Sequence, residues 1–451
     1  MNIRRLTGLL AWSFLLGVAA AKGQQETLTL PQAVRLALEQ SPLTAASRAD
    51  VSLAEARAAL ARTALFPRLD FTEDATRGND PVYAFGTRLR QQRFTQSDFA
   101  LDALNRPSPL GNFATRFTGT WTVFDWLKTE DQVRSSDFAR KGAVAQDGAV
   151  QQRVVLDVVQ AYQSVLYAQK QSELADHECD TAQALLDTVQ TRVRAGLAVE
   201  SDLMAAQVNL AQRRQDRIAA EGDLDTAWSE LETAIGHPLV PRPALQPIVP
   251  RHFSAGVLAD EIASGLKVRP DLRALDEGLS AQHAAVKAAK ASFAPEIKTY
   301  GTWEMDRPSF AGPGGNNWVV GVRMDLDILP LAKHADLAEQ VALQRKAQAN
   351  LQAAEQQLRL AISRAHSQQQ TAARSLETAQ AALEQAAEAL RITRNRYEAG
   401  LATITDLLRA EDAQRQNQNQ YWFAVYNNAM AHARLLYATG SLTPGSTEDL
   451  Q

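Results

Sequence analysis

One segment of the chain occurs twice. Residues 192–206 read RVRAGLAVESDLMAA, and residues 396–410 read RYEAGLATITDLLRA. The arginine, the Ala-Gly-Leu-Ala turn, the Asp-Leu pair and the final alanine recur with an offset of 204, as do Gly236 and Gly440. Two similar halves made mostly of long helix are typical of a quasi-symmetric assembly rather than of a chain folded around one pocket.

A second set of positions repeats with a different offset. Pro42 and Phe66-Pro67 correspond to Pro270 and Ala294-Pro295 with an offset of 228. The first half therefore carries 24 extra residues somewhere between Pro67 and Gly196.

The N-terminus predicts export. Arg4 and Arg5 precede an uncharged run from Leu6 to Ala21 that ends in three alanines, which is the pattern of a secretory signal peptide over residues 1–21. The run has 16 residues and is shorter than the ~20 that a spanning helix needs. Without this segment 45 Lys and Arg oppose 51 Asp and Glu, a balance that disfavours nucleic acid as a partner.

No pattern of catalytic or metal-binding residues is recognisable. Cys179 is the single cysteine, so no disulfide framework is possible within the chain. His177, Glu178 and Cys179 fall within three positions of one predicted helix, and no second cluster completes a metal site, which favours a plain helix surface. We expect no enzyme activity, no cofactor and no bound metal.

The predicted fold class is mainly α with a membrane β-barrel portion. The predicted units are a first repeat (22–236), a Pro-rich linker (237–256), a second repeat (257–440) and a flexible tail (441–451). Each repeat combines helices with a β-hairpin (68–124 and 296–328) and a long helical hairpin (128–235 and 335–437). If the strands form a barrel, residues 74–112 are expected to form a long outer loop, with local turns at Phe85-Gly86 and at residues 107–109.

Local signals place several helix ends. Thr29 with Gln32 predicts a capping box at the start of the first helix. Ser201 is expected to cap the helix after the first Ala-Gly-Leu turn. Gly196 and Gly400 are expected to end the two long helices.

The long helices carry an apolar seam. In the second half, 47 residues contain 13 steps of about 3.6 residues through Leu343, Ala347, Leu351, Ala354, Leu358, Ala361, Ala365, Gln368, Ala372, Leu376, Ala379, Leu383, Ala386 and Leu390. Such a period predicts nearly straight helices packed side by side over roughly 90 Å. A simple coiled-coil rod is the alternative at this point.

The strands distinguish between these alternatives. Residues 113–123 and 318–328 alternate between apolar and polar side chains over about ten positions, with aromatic residues near the ends, as in membrane β-barrels. A soluble half-buried sheet shows the same alternation. Four strands cannot close a barrel, and an open edge cannot lie in lipid, so a barrel has to be shared between chains.

Taken together, these features resemble the outer membrane efflux protein family, the TolC-like channels. The resemblance rests on residues 28–38 (LTLPQAVRLAL), Phe66-Pro67, Ala294-Pro295, the Ala-Gly-Leu turns at 195–197 and 399–401, and the doubled order of elements. It implies a homotrimer with a shared twelve-stranded barrel in the outer membrane and an α-barrel across the periplasm. It also implies a passive conduit, driven by an inner-membrane pump through a periplasmic adaptor.

The resemblance further implies roles for residues at the periplasmic tip. Gly196, Leu197, Gly400 and Leu401 would form the adaptor-docking tip. Asp202, Asp406, Tyr397 and Arg409 would form the pore constriction, with Tyr397 able to donate to Asp202. Ala402 and Arg409 depart from the family pattern, in which an arginine and an aspartate stand there. Both aspartates also suit a helix start, where the helix dipole favours negative charge.

Two other classes remain open from the sequence. A periplasmic coiled-coil adaptor or structural protein is the first, although one helical hairpin between compact β-domains would be expected of an adaptor. An exported enzyme on a helical scaffold is the second. The exported cargo, whether drug, metal ion, polysaccharide or protein, is left open.

Overall fold

The computed structural model describes residues 27–247 and 249–450. The predicted signal peptide lies outside the described residues. Ten α-helices and four strands follow in the order α1 (Leu30–Gln40), α2 (Pro42–Thr63), β1 (Arg68–Gly78), α3 (Pro81–Arg90), α4 (Leu101–Asn105), β2 (Leu110–Phe124), α5 (Lys128–Arg194), α6 (Glu200–Ile235), α7 (Leu258–Val268), α8 (Pro270–Ala291), β3 (Glu296–Arg307), β4 (Gly315–Asp325), α9 (Leu331–Glu398) and α10 (Ile404–Ala438) within those residues.

The duplication extends to element boundaries. Helices α1 and α2 and the start of β1 recur as α7, α8 and the start of β3 with the offset of 228. The ends of α5 and α9, and the starts of α6 and α10, are related by the offset of 204. The change of offset falls in the loops between strands: residues 79–109 separate β1 from β2, whereas only 308–314 separate β3 from β4.

The predicted outer loop 74–112 is too long, because residues 74–78 belong to β1 and residues 110–112 to β2. The remaining segment, 79–109, is folded. The predicted turn at Phe85-Gly86 is wrong, because both residues lie inside α3, which Asp80 caps by accepting from the Tyr83 amide at 2.8 Å. A 3-10 helix at Gln96–Phe99 and the short α4 complete the segment.

The four strands form one antiparallel sheet in the order β1-β2-β3-β4. Register places an aromatic row across all four strands on one face: Phe71, Phe117, Trp303 and Trp318. Val320 and Val322 extend this face toward the helices. The opposite face is polar, with Thr72, Arg116, Glu304 and Asn317 in one row. The alternation therefore makes a sheet with one apolar and one polar face.

The outer edges of β1 and β4 have no strand partner within the described chain. Strand β4 ends at Asp325, so the predicted continuation to Ile328 is wrong. Ile328 is 94 % exposed in the segment that leads into α9.

The helices run from the sheet toward the Ala-Gly-Leu turns. Helices α5 and α9 contain 67 and 68 residues, respectively. At 1.5 Å per residue, each spans about 100 Å. Helix α8 packs against both, and the Ser135 hydroxyl donates to the Ala281 carbonyl at 2.9 Å. The described helices contain no stretch that is long and apolar enough to cross a membrane.

The main apolar core lies where the short helices, the linker and the tail meet the long helices. Tyr162 is 1 % exposed and donates to the Leu28 carbonyl at 2.9 Å. The predicted flexible tail is wrong for its described residues, because Leu442 and Leu450 are buried in this core. The Gln163 side chain also donates to the Leu450 carbonyl at 2.8 Å.

The predicted seam of α9 is correct at Leu358, Ala365, Ala372, Leu376, Ala379 and Leu390, which are buried, and wrong at Leu343, which is exposed. It is shifted by one residue at two places, where Ile362 and Gln369 are buried instead of Ala361 and Gln368. Ile362 offers the larger apolar side chain, and the Gln369 amide donates to Asn428 Oδ1 and to the Phe253 carbonyl, both at 3.0 Å. The hydrogen bonds permit a glutamine in the core.

The two sheet faces generate a first prediction. Val320 is 72 % exposed on the apolar face, and its neighbour Val319 points to the polar face. If the apolar face contacts lipid, Val320→Arg should cost roughly 2–4 kcal/mol, whereas Val319→Arg should be tolerated. Trimer yield in extracted outer membranes measures both, and equal yields for the two variants would contradict the assignment of the faces.

Candidate functional site: the paired helical turns

The two repeated turns have nearly the same backbone geometry. Gly196 and Gly400 both adopt φ of 73°, a left-handed conformation that favours glycine. The amides of Leu197 and Leu401 donate to the carbonyls of Arg192 and Arg396 at 2.8 and 2.7 Å. This 6→1 hydrogen bond is the Schellman ending of a helix. It leaves both leucine side chains on the surface, 78 % and 70 % exposed.

A shared apolar cluster holds the two turns side by side. It joins residues of α5, α6, α9 and α10: Val189, Ala206, Leu210, Leu390, Tyr397, Ile404 and Leu407, together with Cys179, Ala182 and Leu186. Cys179 is 7 % exposed, so the interpretation of this cysteine as helix surface is wrong. The adjacent His177 is exposed.

Tyr397 is buried in this cluster against Arg192. The guanidinium carbon of Arg192 lies 4.8 Å from the centre of the tyrosine ring, and its Nη1 donates to the Tyr397 carbonyl at 3.4 Å. Among the described residues, the expected hydrogen bond from Tyr397 to Asp202 is not formed. The cation–π contact with Arg192 links the two repeats in its place.

Asp406 takes part in a capping box at the start of α10. Its Oδ2 accepts from the Thr403 hydroxyl at 2.7 Å and from the Thr403 amide at 3.0 Å. These hydrogen bonds lower the pKa of Asp406, and the nearby charges of Arg409 and Arg396 act in the same direction. A lowered pKa means that the cap is present above the usual carboxylate pKa of about 3.9 and is lost only as the pH falls through the lower value.

Asp202 occupies the equivalent position in the first repeat without this cap. Helix α6 begins after Val199, which has no side-chain oxygen, and Ser201 lies inside the helix, so the prediction that Ser201 caps it is wrong. Asp202 is half-buried, and no side-chain hydrogen bond to it is formed within the described chain. The two aspartates therefore differ: Asp406 is held by its own turn, and Asp202 retains its capacity to accept.

A group of ion pairs lies behind the turns and was not expected from the sequence. Arg213 on α6 is 8 % exposed and contacts Glu178 on α5 at 3.5 Å, Asp216 at 3.1 Å and Asp412 on α10 at 3.1 Å. Burial raises the pKa of Glu178 despite the opposing effect of Arg415 and Arg213. An arginine in a polar helix gives no sequence signal of burial, which here depends on the meeting of three helices.

This group supports a second prediction. Arg213→Ala removes the cation that joins three helices and leaves Glu178 without its buried partner, so it should destabilise the tip by about 1–3 kcal/mol. Arg214→Ala is the matched control, because Arg214 is exposed. Hydrogen exchange of the α6 and α10 amides measures the difference. Equal protection in the two variants would show that the ion pairs do not hold the hairpins together.

The fold and the site together define a class of protein. A sheet with an apolar face lies at one end of the molecule. Paired turns with exposed leucines lie about 100 Å away, at the other end of helices α5 and α9. This arrangement is that of a membrane channel subunit with a long helical extension.

Comparisons with known proteins identify the family. The model of the outer membrane efflux protein family matches residues 33–237 and 262–441. The chain is 26 % identical to protein CyaE of Bordetella pertussis over 92 % of this chain and 85 % of that protein. It is 23 % identical to the alkaline protease secretion protein AprF of Pseudomonas aeruginosa over 99 % of this chain and 91 % of that protein.

A solved structure shows the same fold. The outer membrane channel CmeC of Campylobacter jejuni superimposes with a TM-score of 0.80 at 17 % identity, over 100 % of this chain and 96 % of that chain. The chain belongs to the outer membrane efflux protein family. It is an outer membrane channel for efflux or secretion whose fold is completed as a trimeric barrel, with its helical part in the periplasm.

Proposed function

We propose that this channel is the exit duct of a tripartite exporter and docks a periplasmic adaptor through its paired turns. The observation that carries this proposal is the duplication of a surface leucine beside a left-handed glycine at Leu197 and Leu401. A glycine lets a partner backbone approach closely, and an exposed leucine supplies apolar area to cover. As in tripartite systems built on channels of this family, an inner-membrane pump supplies the energy.

We infer that the cargo belongs to the secretion branch rather than to drug efflux. The support is the extent of similarity: AprF, named for alkaline protease secretion, matches over 99 % of this chain. The multidrug resistance outer membrane protein MdtP of Escherichia coli matches over only 39 % of this chain. Deletion of the gene should therefore remove a polypeptide from the culture medium and leave drug susceptibility unchanged. The reverse result would assign the channel to drug efflux.

The adaptor contact gives a third prediction. In a Cys179→Ala background, cysteines at Ala198 or Ala402 should crosslink to the cognate adaptor in intact cells, because each lies next to the exposed leucine of its turn. The control is Ser309→Cys, in the loop between β3 and β4 at the opposite end of the molecule from the turns. Crosslinks only at Ser309→Cys would place the adaptor contact at the β3–β4 loop and would contradict docking at the paired turns.

We further propose that Asp202, Asp406, Tyr397 and Arg409 form the pore constriction. In a trimer each aspartate contributes to a ring of three carboxylates, which favours cations. Asp202 lacks a capping partner, and Arg409 lowers the effective negative charge near Asp406. Asp202 is therefore the stronger determinant of cation preference, and Tyr397 keeps the two turns together through Arg192.

Planar-bilayer recordings test this fourth prediction. Asp202→Asn should reduce cation preference and divalent block more than Asp406→Asn does, because only Asp406 has its charge offset and one carboxylate oxygen, Oδ2, occupied by hydrogen bonds. Tyr397→Leu should raise conductance by loosening the contact between turns. If the double Asn variant keeps wild-type conductance, selectivity and divalent block, these residues are helix-start residues only.

A further inference from the structure

The loop that makes the first repeat 24 residues longer than the second forms a folded unit at the far end of the sheet from the helices. Residues 79–109, called the insert below, connect β1 to β2. The insert has its own small core, in which the rings of Phe85, Phe94 and Phe99 pack edge to face at 4.8 and 5.1 Å. An ion pair between Arg88 and Asp98 closes it. The insert is therefore a built structure and not an open loop.

Helix α3 of the insert lies on the polar face of the sheet. The Tyr83 and Thr76 hydroxyl oxygens are 2.9 Å apart, and Arg90 Nη1 lies 3.4 Å from Glu304 Oε1. Thr76 and Glu304 belong to the same face as Arg116, because paired residues of antiparallel strands share a face. The aromatic row of the opposite face is not covered by α3.

A chain of side-chain hydrogen bonds between amides and one buried carboxylate fixes α3 to this face. Gln91 Nε2 donates to Asn112 Oδ1 at 2.9 Å, Asn112 Nδ2 donates to Asp306 Oδ1 at 2.6 Å, and Asn317 Nδ2 donates to Asp306 Oδ2 at 3.3 Å. Gln91, Asn112 and Asp306 are 2 %, 6 % and 0 % exposed in the single chain. Breaking such a network leaves buried polar groups unsatisfied, so the position of α3 is strongly specified.

The end of α3 also requires a glycine in the sheet. Asn317 Nδ2 donates to the Arg90 carbonyl at 3.2 Å. A Cβ at Gly315 would lie 2.0 Å from that carbonyl oxygen. The backbone of α3 therefore meets the first residue of β4 at a distance that only glycine permits.

From these contacts we infer that the insert is an inward-folded cap that narrows the outer mouth of the pore. The inference rests on the barrel of the family, in which the apolar face meets lipid and the polar face lines the lumen. Twelve strands spaced about 4.8 Å apart and tilted by about 40° make a barrel roughly 24 Å across. Three helices about 10 Å thick, one from each chain, occupy much of that opening.

Paired charges lie beneath the cap on the polar face. Arg116 pairs with Asp74 at 3.7 Å and with Glu304 at 3.1 Å, and Arg90 of α3 meets the same Glu304. Arg116 and Arg90 are paired with Asp74 and Glu304, and Asp306 is held by the amides of Asn112 and Asn317, so the cap restricts passage chiefly by size. Extended chains and small molecules pass, whereas larger folded molecules are excluded in both directions.

Labelling from outside the cell tests the cap without involving the periplasmic tip. In a Cys179→Ala background, Thr120→Cys places a thiol on the polar face below the cap, where Thr120 pairs with Arg68 and Tyr300. The reagents are a small impermeant maleimide and a poly(ethylene glycol) maleimide too large for general diffusion pores but narrower than an uncapped barrel. Ser309→Cys on the external loop is the reference for full access.

The chain itself supplies the matched control, because the β3–β4 loop is short. A variant in which residues 308–314 replace residues 79–109 keeps the hairpin and removes the cap. We expect the large reagent to label Thr120→Cys at least tenfold more slowly than Ser309→Cys, and the swapped loop to remove most of that difference. Gln91→Ala with Asn112→Ala should give an intermediate rate.

Trimer yield and labelling by the small reagent verify that each variant is assembled. Equal labelling of Thr120→Cys by the large reagent with and without the insert would overturn the cap, whether access is high or low in both. Failure of adaptor crosslinking at the tip would leave this result unaffected, so the two proposals fail separately.

Discussion

The two open edges of the sheet constrain the rest of the structure. Strands β1 and β4 each present a row of backbone N–H and C=O groups with no partner in the described chain. In a bilayer no water is available to satisfy them, so other copies of the chain have to do so. A lone chain is therefore not a stable membrane protein. Closure of the barrel also sets the circumference of the ring that the long helices have to form below it.

The helices continue this ring through two kinds of packing contact, one within a chain and one between neighbouring chains. Within the chain, α8 fits between α5 and α9 through small residues such as Ala281 and Ala288. Its counterpart α2 packs on α5 and carries leucines at the equivalent positions, Leu53 and Leu60, which are 48 % and 70 % exposed. In a closed ring those leucines face the neighbouring chain. The duplication thus gives a wall of nearly uniform thickness, in which larger side chains serve the seams between chains.

The sequence predicts the repeated parts of the fold well, because their periods persist over many residues. Alternation over ten positions predicts the faces of the strands, and glycines at equivalent places predict the ends of α5 and α9. The family model and the solved relatives confirm the channel class that these patterns indicated. Local capping is less readable: Thr29 does form its capping box, whereas Ser201 does not cap α6.

The features that the sequence did not predict depend on tertiary contacts. Helix α3 has ten residues and is held in place by Asn112 and Asp306, which are polar and distant in sequence. Its position therefore has no hydrophobic periodicity that the sequence could reveal. Gln369 is buried because Asn428 and a linker carbonyl accept its hydrogen bonds. The burial of Arg213 likewise needs carboxylates from α5 and α10. At the candidate gate, the sequence identified the residues of interest, but it did not predict that Tyr397 contacts Arg192.

Two departures from the internal repeat lie at the two ends of the tube. At the outer end the insert has no counterpart between β3 and β4. At the inner end Thr403 and Arg409 stand where the first repeat has Val199 and Ala205, so one turn is capped and carries a nearby cation while the other is not. A wall needs only that its helices pack, and duplication preserves this. An entrance and an exit have to discriminate, and in a tube built from two halves with the same order of elements, discrimination requires the halves to differ there.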